Sequence, residues 1–478
     1  MAQVNILAYT ALRWFFEFCI SLFYANVSVK GTENIPKKVP VILYVYLLFD
    51  ELSTYMTNST VNHYNGLVDG VIIYSQVSKR IVRSVAKAEL FKLPLLGTFL
   101  KLLGTIPVVR QQDITKDEEE QRRQANQAAI NAMAEVLKSN DCLVIFPEGT
   151  SHNNSTLTKI KTGFARAALQ ALDSDEHISK VIVVPVGLNY DSKNEFRSDV
   201  FVQFGKQIII DRTHLTEFKK DSTKLLDSLA DVVRKGMQHV TVVANDPETI
   251  SAAHIARSLV RKRSNPLSQE EYIFLTQKFI DVFETQQDAK QVFTTLKQLS
   301  SHMRLLNMKY SELSMRYFFI RKLLTLLLTL PITLPGSIFH LPVGLVSSYF
   351  GKKISHGYRD QEAHYILMMM IFLLPLYYIF TAIILTILFS FKFALICALL
   401  LAVSGVIAVH LRPVGYTIHL FKSFAKLLLV NREELLRIQK QLRADLPPLI
   451  AKHMKEVLSR GILDEEIESR CQSYLKMQ

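Results

Sequence analysis

Residues 365–411 form a long apolar stretch in this 478-residue chain, and Lys392 is the only Asp, Glu, Lys or Arg within it. A helix that crosses a bilayer needs about 20 apolar residues, so the stretch has room for two helices. We predict transmembrane helices at about 365–391 and 393–411, joined by a tight turn near Lys392. The alternative is a pair of very apolar helices buried in a soluble protein.

Basic residues flank this stretch on both sides and determine its predicted orientation. Cytoplasmic flanks of membrane helices are enriched in Lys and Arg, so both ends are expected in the cytosol, as in a helical hairpin. The flanking basic residues are Lys352, Lys353 and Arg359 before the stretch and Arg412, Lys422 and Lys426 after it.

Two further apolar segments lie outside this stretch. Residues 323–346 contain three prolines and two glycines, which predicts a re-entrant or broken helix that protein contacts would have to support. Residues 6–24 are apolar and aromatic but include Arg13 and Glu17. This pattern favours a membrane-associated interfacial helix at 1–25 over a full span. A helix packed on a soluble domain is an equal alternative.

The charge and the cysteine content limit which classes of partner and which kinds of site are expected. The chain carries 56 Lys and Arg against 43 Asp and Glu, a formal net charge of +13, which suits phosphorylated metabolites or anionic lipid. No base-reading motif or compact Arg/Lys-rich module is found, so we expect no nucleic-acid partner. The four cysteines are scattered without a C-x-x-C pair, which indicates neither a disulfide framework nor a metal site.

Strand and helix signals alternate over roughly the first half of the chain. This alternation predicts an α/β domain with a mixed, largely parallel sheet flanked by helices. A charged helical pattern, the apolar region and a polar helical tail follow. The predicted regions are an N-terminal helix at 1–25, the α/β domain at 26–245, a helical region at 246–316, a membrane region at 317–412 and a helical tail at 413–478.

Residues 46–61 do not fit this pattern. Without them, the strand-like run at 39–45 would lead directly into Asn62 and His63. We interpret 46–61 as an insertion or as retained intronic sequence, and the alternative is a genuine loop.

Four segments carry candidate chemistry, and the first two lie before residue 111. His63 is followed by Asp69; a histidine can take a proton from an alcohol, and a carboxylate can fix its tautomer. The second segment, 104–110, is a branched run that ends at Arg110, whose guanidinium suits bidentate phosphate binding. A solvated loop and a surface arginine are the alternatives without function.

The third and fourth segments follow or lie within strand-like runs. Residues 146–151 read FPEGTS and include Glu148. Backbone N–H groups there, and at the helix start after Lys161, could bind an anion. In the fourth segment, Pro185 interrupts a strand, which indicates an edge, an end or a bulge that can open a groove for an acyl chain. A structural turn and a sheet-edge irregularity are the alternatives.

In this order, the four segments resemble the four motifs of the glycerolipid acyltransferase family. FPEGTS is a very specific match, and segments elsewhere resemble the glycerol-3-phosphate/dihydroxyacetone-phosphate acyltransferase branch known from fungi. With these, the resemblance extends over most of the chain. One departure is that five residues, instead of four, separate His63 from Asp69.

The resemblance implies the fold of that family and an acyl transfer from acyl-CoA to the sn-1 hydroxyl of glycerol 3-phosphate. The product is lysophosphatidate, and dihydroxyacetone phosphate is a second acceptor. The resemblance makes His63 and Asp69 the catalytic pair and places Pro185 in the acyl groove. Acyl-CoA is a co-substrate, and neither a cofactor nor a metal is expected. The implied substrate-binding residues are Arg110, Glu148, Gly149, Thr150, Ser151 and Lys161.

Two other functions remain open at this point. A 1-acylglycerol-3-phosphate acyltransferase would use the same site with a wider acceptor groove. A catalytically silent membrane scaffold is the other, since residues 46–61 lie beside the predicted site. The expected location is the endoplasmic reticulum membrane, with the α/β domain in the cytosol, where acyl-CoA and glycerol phosphate are found.

Overall fold

The computed structural model describes eleven stretches of the chain, which fall into two compact units with a boundary between Val243 and Ala244. The described stretches are 5–48, 66–77, 80–92, 94–108, 119–146, 160–190, 199–261, 267–306, 315–354, 359–411 and 432–477.

The first unit contains a mixed sheet and helices that precede, separate and follow its strands. The strands are β1 (Asn26–Lys30), β2 (Val41–Leu48), β3 (Val82–Lys87), β4 (Ile106–Val108), β5 (Cys142–Ile145), β6 (Lys180–Tyr190), β7 (Asp199–Phe204) and β8 (Ile208–Asp211). The helices are α1 (Ile6–Phe23), α2 (Gly66–Gln76), α3 (Pro94–Leu102), α4 (Glu119–Lys138), α5 (Gly163–Ser174), α6 (Arg212–Lys220) and α7 (Ser222–Gln238).

The sheet has the order β1-β7-β6-β2-β5-β3-β4, with β8 beside the start of β6. Strands β6, β2, β5, β3 and β4 are parallel, and β7 and β8 run antiparallel to β6. Parallel strands buried on both faces are expected from continuous branched apolar runs, and every β6 residue after Lys180 is buried. The predicted mixed, largely parallel sheet flanked by helices is confirmed.

The second strand is longer than the sequence indicated. β2 pairs with β6 from Val41 to Leu48, and the last three of these residues lie opposite Gly187, Leu188 and Asn189. The first three residues of the predicted insertion therefore belong to the central strand pair. The rest of 46–61 lies outside the described residues, and its origin stays a hypothesis.

The two faces of the sheet bury different side chains. Helices α4, α5 and α7 form one apolar core with Tyr44 and Val183. Asn189 points to this face, because its side chain donates to the carbonyl of Val240 at 3.1 Å. Neighbouring residues of a strand point to opposite faces, so Tyr190 lies on the other face.

Gly187 lies where the backbone at Val240 passes close to β6, which leaves no room for a side chain. A Cβ at this position would lie 2.0 Å from the carbonyl oxygen of Val240, far inside van der Waals contact. We expect Gly187→Ala to lower the free energy of unfolding of the first unit by about 1–3 kcal/mol or more. Urea denaturation followed by the fluorescence of Trp14, the single tryptophan, measures this. Gly163→Ala is the control, since a Cβ there meets nothing within 4 Å; equal losses in both variants would contradict the packing argument.

Helix α1 packs on the first unit and also exposes apolar side chains. The hydroxyl of Tyr9 accepts a hydrogen bond from the backbone N–H of Val82 at 2.9 Å, and Phe23 is buried. On the opposite side, Leu7 is 82% and Trp14 is 64% exposed. The helix therefore combines features of both predicted alternatives, and its membrane association stays a prediction.

The second unit is helical in its described part. Its helices are α8 (Pro247–Val260), α9 (Gln269–Thr285), α10 (Lys290–Leu306), α11 (Met315–Ile354), α12 (Arg359–Leu388), α13 (Phe391–Leu411), α14 (Arg432–His453), α15 (Lys455–Leu458) and α16 (Glu465–Met477).

One helical segment, Met369–Leu388 in α12, is long and apolar enough to cross a membrane by length and composition among the described residues. The shorter apolar segment Phe391–Ile407 lies in α13. The two helices are separated by Phe389 and Ser390, close to the predicted turn. Their placement in a membrane as a hairpin stays a prediction.

The prediction of a broken helix at 323–346 is wrong. α11 continues through Pro331, Pro335 and Pro342. It packs on α12 and α13, and polar contacts support it: His340 Nε2 lies 2.9 Å from the hydroxyl of Tyr378, and Gly336 N–H donates to Ser404 Oγ at 3.0 Å. Neighbouring helices and side chains of this kind allow proline inside an apolar helix.

Candidate active site

The parallel strands of the first unit end at one edge of the sheet. β2, β4, β5 and β6 are mutually parallel, so their carboxyl ends lie at a common edge, where open α/β sheets usually bind ligands. Arg110 comes two residues after β4, and FPEGTS begins directly after β5. Arg110 and FPEGTS thus follow strands that end at this edge.

Most of the predicted site residues lie outside the described part of the chain. For those residues the roles stay predictions. They are His63, Arg110, Glu148, Gly149, Thr150 and Ser151. Asp69, Lys161 and Pro185 are described.

Asp69 lies in the first turn of α2 and is 1% exposed. Its carboxylate accepts a hydrogen bond from the hydroxyl of Tyr190, the last residue of β6. The N-terminal end of a helix also favours a negative charge through its unpaired N–H groups and macrodipole. A buried carboxylate is therefore held at the carboxyl edge of the sheet, six residues after His63.

Two buried tyrosines form the surroundings of Asp69. Burial raises the pKa of Tyr190 well above its usual value, and the nearby carboxylate of Asp69 raises it further. Burial also raises the pKa of Tyr24, whose hydroxyl is hydrogen-bonded to that of Tyr190. Both phenols are consequently neutral near pH 7, and Tyr190 donates its hydroxyl proton to the Asp69 carboxylate.

Sequence reasoning assigned no role to Tyr190 or Tyr24, and a third residue was missed as well. Lys87 is the last residue of β3 and lies opposite Val108 in β4. Its ammonium group is buried and forms an ion pair with Glu89. It therefore places a cation at the carboxyl edge, beside the last residue of β4. A lysine at the end of a branched strand-like run was the available signal.

Lys161 is exposed and precedes α5, which begins at Gly163. The N-cap residue Thr162 makes no side-chain capping bond, and the first N–H groups of a helix lack partners within the helix. This arrangement suits an anion, as predicted, and the phosphate role of Lys161 stays a prediction.

Pro185 lies in the interior of β6, between the segments that pair with β8 and β7. Its carbonyl accepts from Gly205 N–H at 2.8 Å, so the N–H that proline lacks would have pointed into the gap between β7 and β8. Pro185 thus lies at a break in the pairing on one side of β6 and not at an edge or an end of the strand. However, the ring is buried against α7, where a Cβ on Gly236 would lie 2.7 Å from Pro185 Cγ. The acyl-groove role of Pro185 stays a prediction.

A buried carboxylate beside a histidine can orient the imidazole and stabilise its protonated form. Cations at a neighbouring strand end can bind a phosphate. Across the described residues, no three His, Cys, Asp or Glu side chains come together as a metal site would require. With the predicted His63, the buried Asp69 would suit proton abstraction from the hydroxyl of a phosphorylated alcohol.

Comparisons with known proteins agree with this chemistry. A family model described as Acyltransferase matches residues 59–189, which include both His63 and Asp69. Glycerol-3-phosphate O-acyltransferase 1 of Saccharomyces cerevisiae is 37% identical over 130 residues, which are 26% of this chain and 17% of that protein. Glycerol-3-phosphate O-acyltransferase 2 of the same yeast is 25% identical over 287 residues, 55% of this chain and 38% of that protein.

A bacterial relative carries a different acceptor in its name. The 1-acyl-sn-glycerol-3-phosphate acyltransferase of Borreliella burgdorferi is 25% identical over 231 residues, which are 47% of this chain and 77% of that protein. The matches to the two yeast relatives span well under half of their length.

Proposed function

Since this chain belongs to the glycerolipid acyltransferase family, we propose that it transfers an acyl group from acyl-CoA to the sn-1 hydroxyl of glycerol 3-phosphate. The observation that supports this most is the buried Asp69 at the carboxyl edge, six residues after His63. A carboxylate at this place has no evident use in core packing, because burying a charge is costly without a compensating role.

In the proposed reaction, His63 accepts the proton of the sn-1 hydroxyl while Asp69 holds the imidazole in the productive tautomer. The alkoxide attacks the thioester carbonyl of acyl-CoA to form a tetrahedral oxyanion. This intermediate collapses, the new ester forms, and CoA leaves as a thiolate that takes the proton from His63. No covalent acyl-enzyme is needed, in agreement with a sequence that has no G-x-S-x-G motif.

The acceptor phosphate is assigned to the strand ends next to the catalytic pair. Arg110 binds it through charge-assisted hydrogen bonds. Backbone N–H groups of Gly149, Thr150 and Ser151 and the side chain of Lys161 complete the site, and Glu148 orients Arg110. Buried Lys87 adds a positive charge on the neighbouring strand.

We expect Arg110→Ala to raise the KM for glycerol 3-phosphate by about 10- to 100-fold, since a hydrogen bond to a charged group contributes roughly 1.5–3 kcal/mol. Turnover at saturating acceptor should change much less, because the phosphate is remote from the reacting hydroxyl. Steady-state kinetics at fixed acyl-CoA measure both parameters. Arg234→Ala, which removes an exposed arginine paired with Asp231 in α7, is the control. A loss of kcat with unchanged KM would reassign Arg110.

Membrane attachment is part of the proposal. The exposed face of α1 and the apolar segment Met369–Leu388 would both contact the bilayer, the proposed location being the cytosolic side of the endoplasmic reticulum. A bilayer-attached enzyme can release an acylated product directly into the membrane.

The acceptor is tested with the purified full chain, oleoyl-CoA and three labelled acceptors in parallel. Glycerol 3-phosphate, and more weakly dihydroxyacetone phosphate, should be acylated. Acylation of 1-acylglycerol 3-phosphate alone would favour the second candidate, which the Borreliella burgdorferi relative supports. Turnover of none of the three would overturn the proposed function.

A further inference from the structure

We propose that Tyr190, supported by Tyr24, is a positioning residue that fixes the Asp69 carboxylate for its partner His63. This inference rests on the proposed function, because it assigns a role to the catalytic pair of that reaction. It adds Tyr190 and Tyr24, which lie outside the sequence motif that contains His63 and Asp69.

The geometry places the three side chains in one buried cluster. Asp69, Tyr190 and Tyr24 are 1%, 4% and 3% exposed, respectively. The Tyr190 hydroxyl donates to Oδ1 of Asp69, and the rings of Tyr24 and Tyr190 lie 6.0 Å apart between centroids.

The direction of the hydrogen bonds follows from the number of protons. Each phenol has one proton, and an ionised carboxylate only accepts. Because Tyr190 donates its proton to Asp69, the Tyr24 hydroxyl must donate to Tyr190. The chain Tyr24 to Tyr190 to Asp69 therefore ends on a carboxylate oxygen. Fixing Oδ1 also fixes the direction of Oδ2, the oxygen that the proposed pair assigns to His63.

Three separate elements contribute to this cluster. Tyr24 is the C-cap of α1, Asp69 is in the first turn of α2, and Tyr190 ends β6. The backbone N–H of Tyr24 donates to Ile20 at 2.8 Å, which anchors its position at the helix end. Helix α1 thus contributes to the geometry of the catalytic carboxylate as well as to the exposed apolar face.

Tyr190→Phe tests the role, because it removes one hydroxyl and keeps the ring. We expect kcat for glycerol 3-phosphate acylation to fall about 10-fold or more, the effect of losing a hydrogen bond to a charged group. KM values for both substrates should stay within about twofold, since the carboxylate does not bind substrate. Tyr24→Phe should have a smaller effect of the same kind.

Tyr74→Phe is the matched control for a structural role. Tyr74 is buried in the same helix as Asp69, but its hydroxyl is hydrogen-bonded to Ser84. The Tyr74→Phe variant should lose as much free energy of unfolding as Tyr190→Phe does, but its kcat should be unchanged. Equal loss of kcat in both variants would overturn the proposal.

A second measurement does not depend on turnover. Infrared difference spectra recorded against pH detect the protonated carboxyl of Asp69, and Asp69→Asn identifies its band. Removing a donor to the charged form raises the pKa of a carboxyl group, so the band should appear at higher pH in Tyr190→Phe and be unchanged in Tyr74→Phe. An unshifted band in Tyr190→Phe would overturn the link between Tyr190 and Asp69. If the wild-type chain acylates no acceptor, the proposed function fails while this spectrum still decides the link.

Discussion

His63→Ala is expected to lower kcat for acylation of glycerol 3-phosphate by about 100- to 10,000-fold, the usual contribution of a general base. The sn-1 hydroxyl is a very weak acid, and no other base is assigned to receive its proton. The KM for glycerol 3-phosphate should change little, because the proposed function assigns the phosphate to Arg110 and its neighbours and not to His63. Initial rates with labelled acceptor and oleoyl-CoA measure the effect.

The control for this variant is His177→Ala. His177 is exposed and lies three residues before β6, at the opposite edge of the sheet from the site. Its replacement should leave kcat unchanged. If His63→Ala retained activity within about tenfold of wild type, below the range for a general base, another group would have to accept the proton.

Asp69→Asn is expected to have the second largest effect, a loss of kcat of about 100-fold or more, because the amide cannot stabilise an imidazolium or fix its tautomer. The amide oxygen still accepts from Tyr190, so the free energy of unfolding should stay within about 1 kcal/mol of wild type. Steady-state kinetics and urea denaturation of the same preparation measure both quantities.

The double variant with His63→Ala and Asp69→Asn provides the internal check. Residues that act as a unit have strongly non-additive effects. Asp69→Asn should therefore lower kcat little further once His63 has been replaced. Losses that multiply would show that Asp69 acts independently of His63, and the catalytic pair would then have to be abandoned.

The architecture of the first unit could be predicted because short stretches of sequence determine its strands and helices. Branched runs such as Cys142–Ile145 form buried strands, and strands alternating with helices lead to a parallel sheet. That topology also explains why strands far apart in sequence end at one edge. The details of strand ends were not predictable: β2 extends to Leu48 because β6 provides a partner through Asn189.

The missed residues depend on contacts between distant elements. Tyr190 lies 121 residues from Asp69, and alternation along β6 indicates only which face a side chain occupies, not its partner. The prolines of α11 misled the prediction for a related reason. Proline lowers the local preference for helix, whereas packing of α11 on α12 and α13 overrides that preference.

For Pro185 the local pattern concerns the strand alone, and its role in an acyl groove stays a prediction. Its place between β7 and β8 agrees with the rule that proline lies where no neighbouring strand needs its N–H group. The covering of its ring by α7 depends on Gly236, which lies 51 residues further along the chain. No local pattern around Pro185 contains this information.

The most direct test of the central claim is oleoyl-CoA-dependent acylation of labelled glycerol 3-phosphate by the purified full chain, measured in parallel for wild type and Asp69→Asn. We predict lysophosphatidate as the product of wild type and a rate at least about 100-fold lower in the variant, with both proteins equally folded. Wild-type turnover that is undiminished in Asp69→Asn would contradict the assignment of the carboxyl edge of the sheet as the site of acyl transfer.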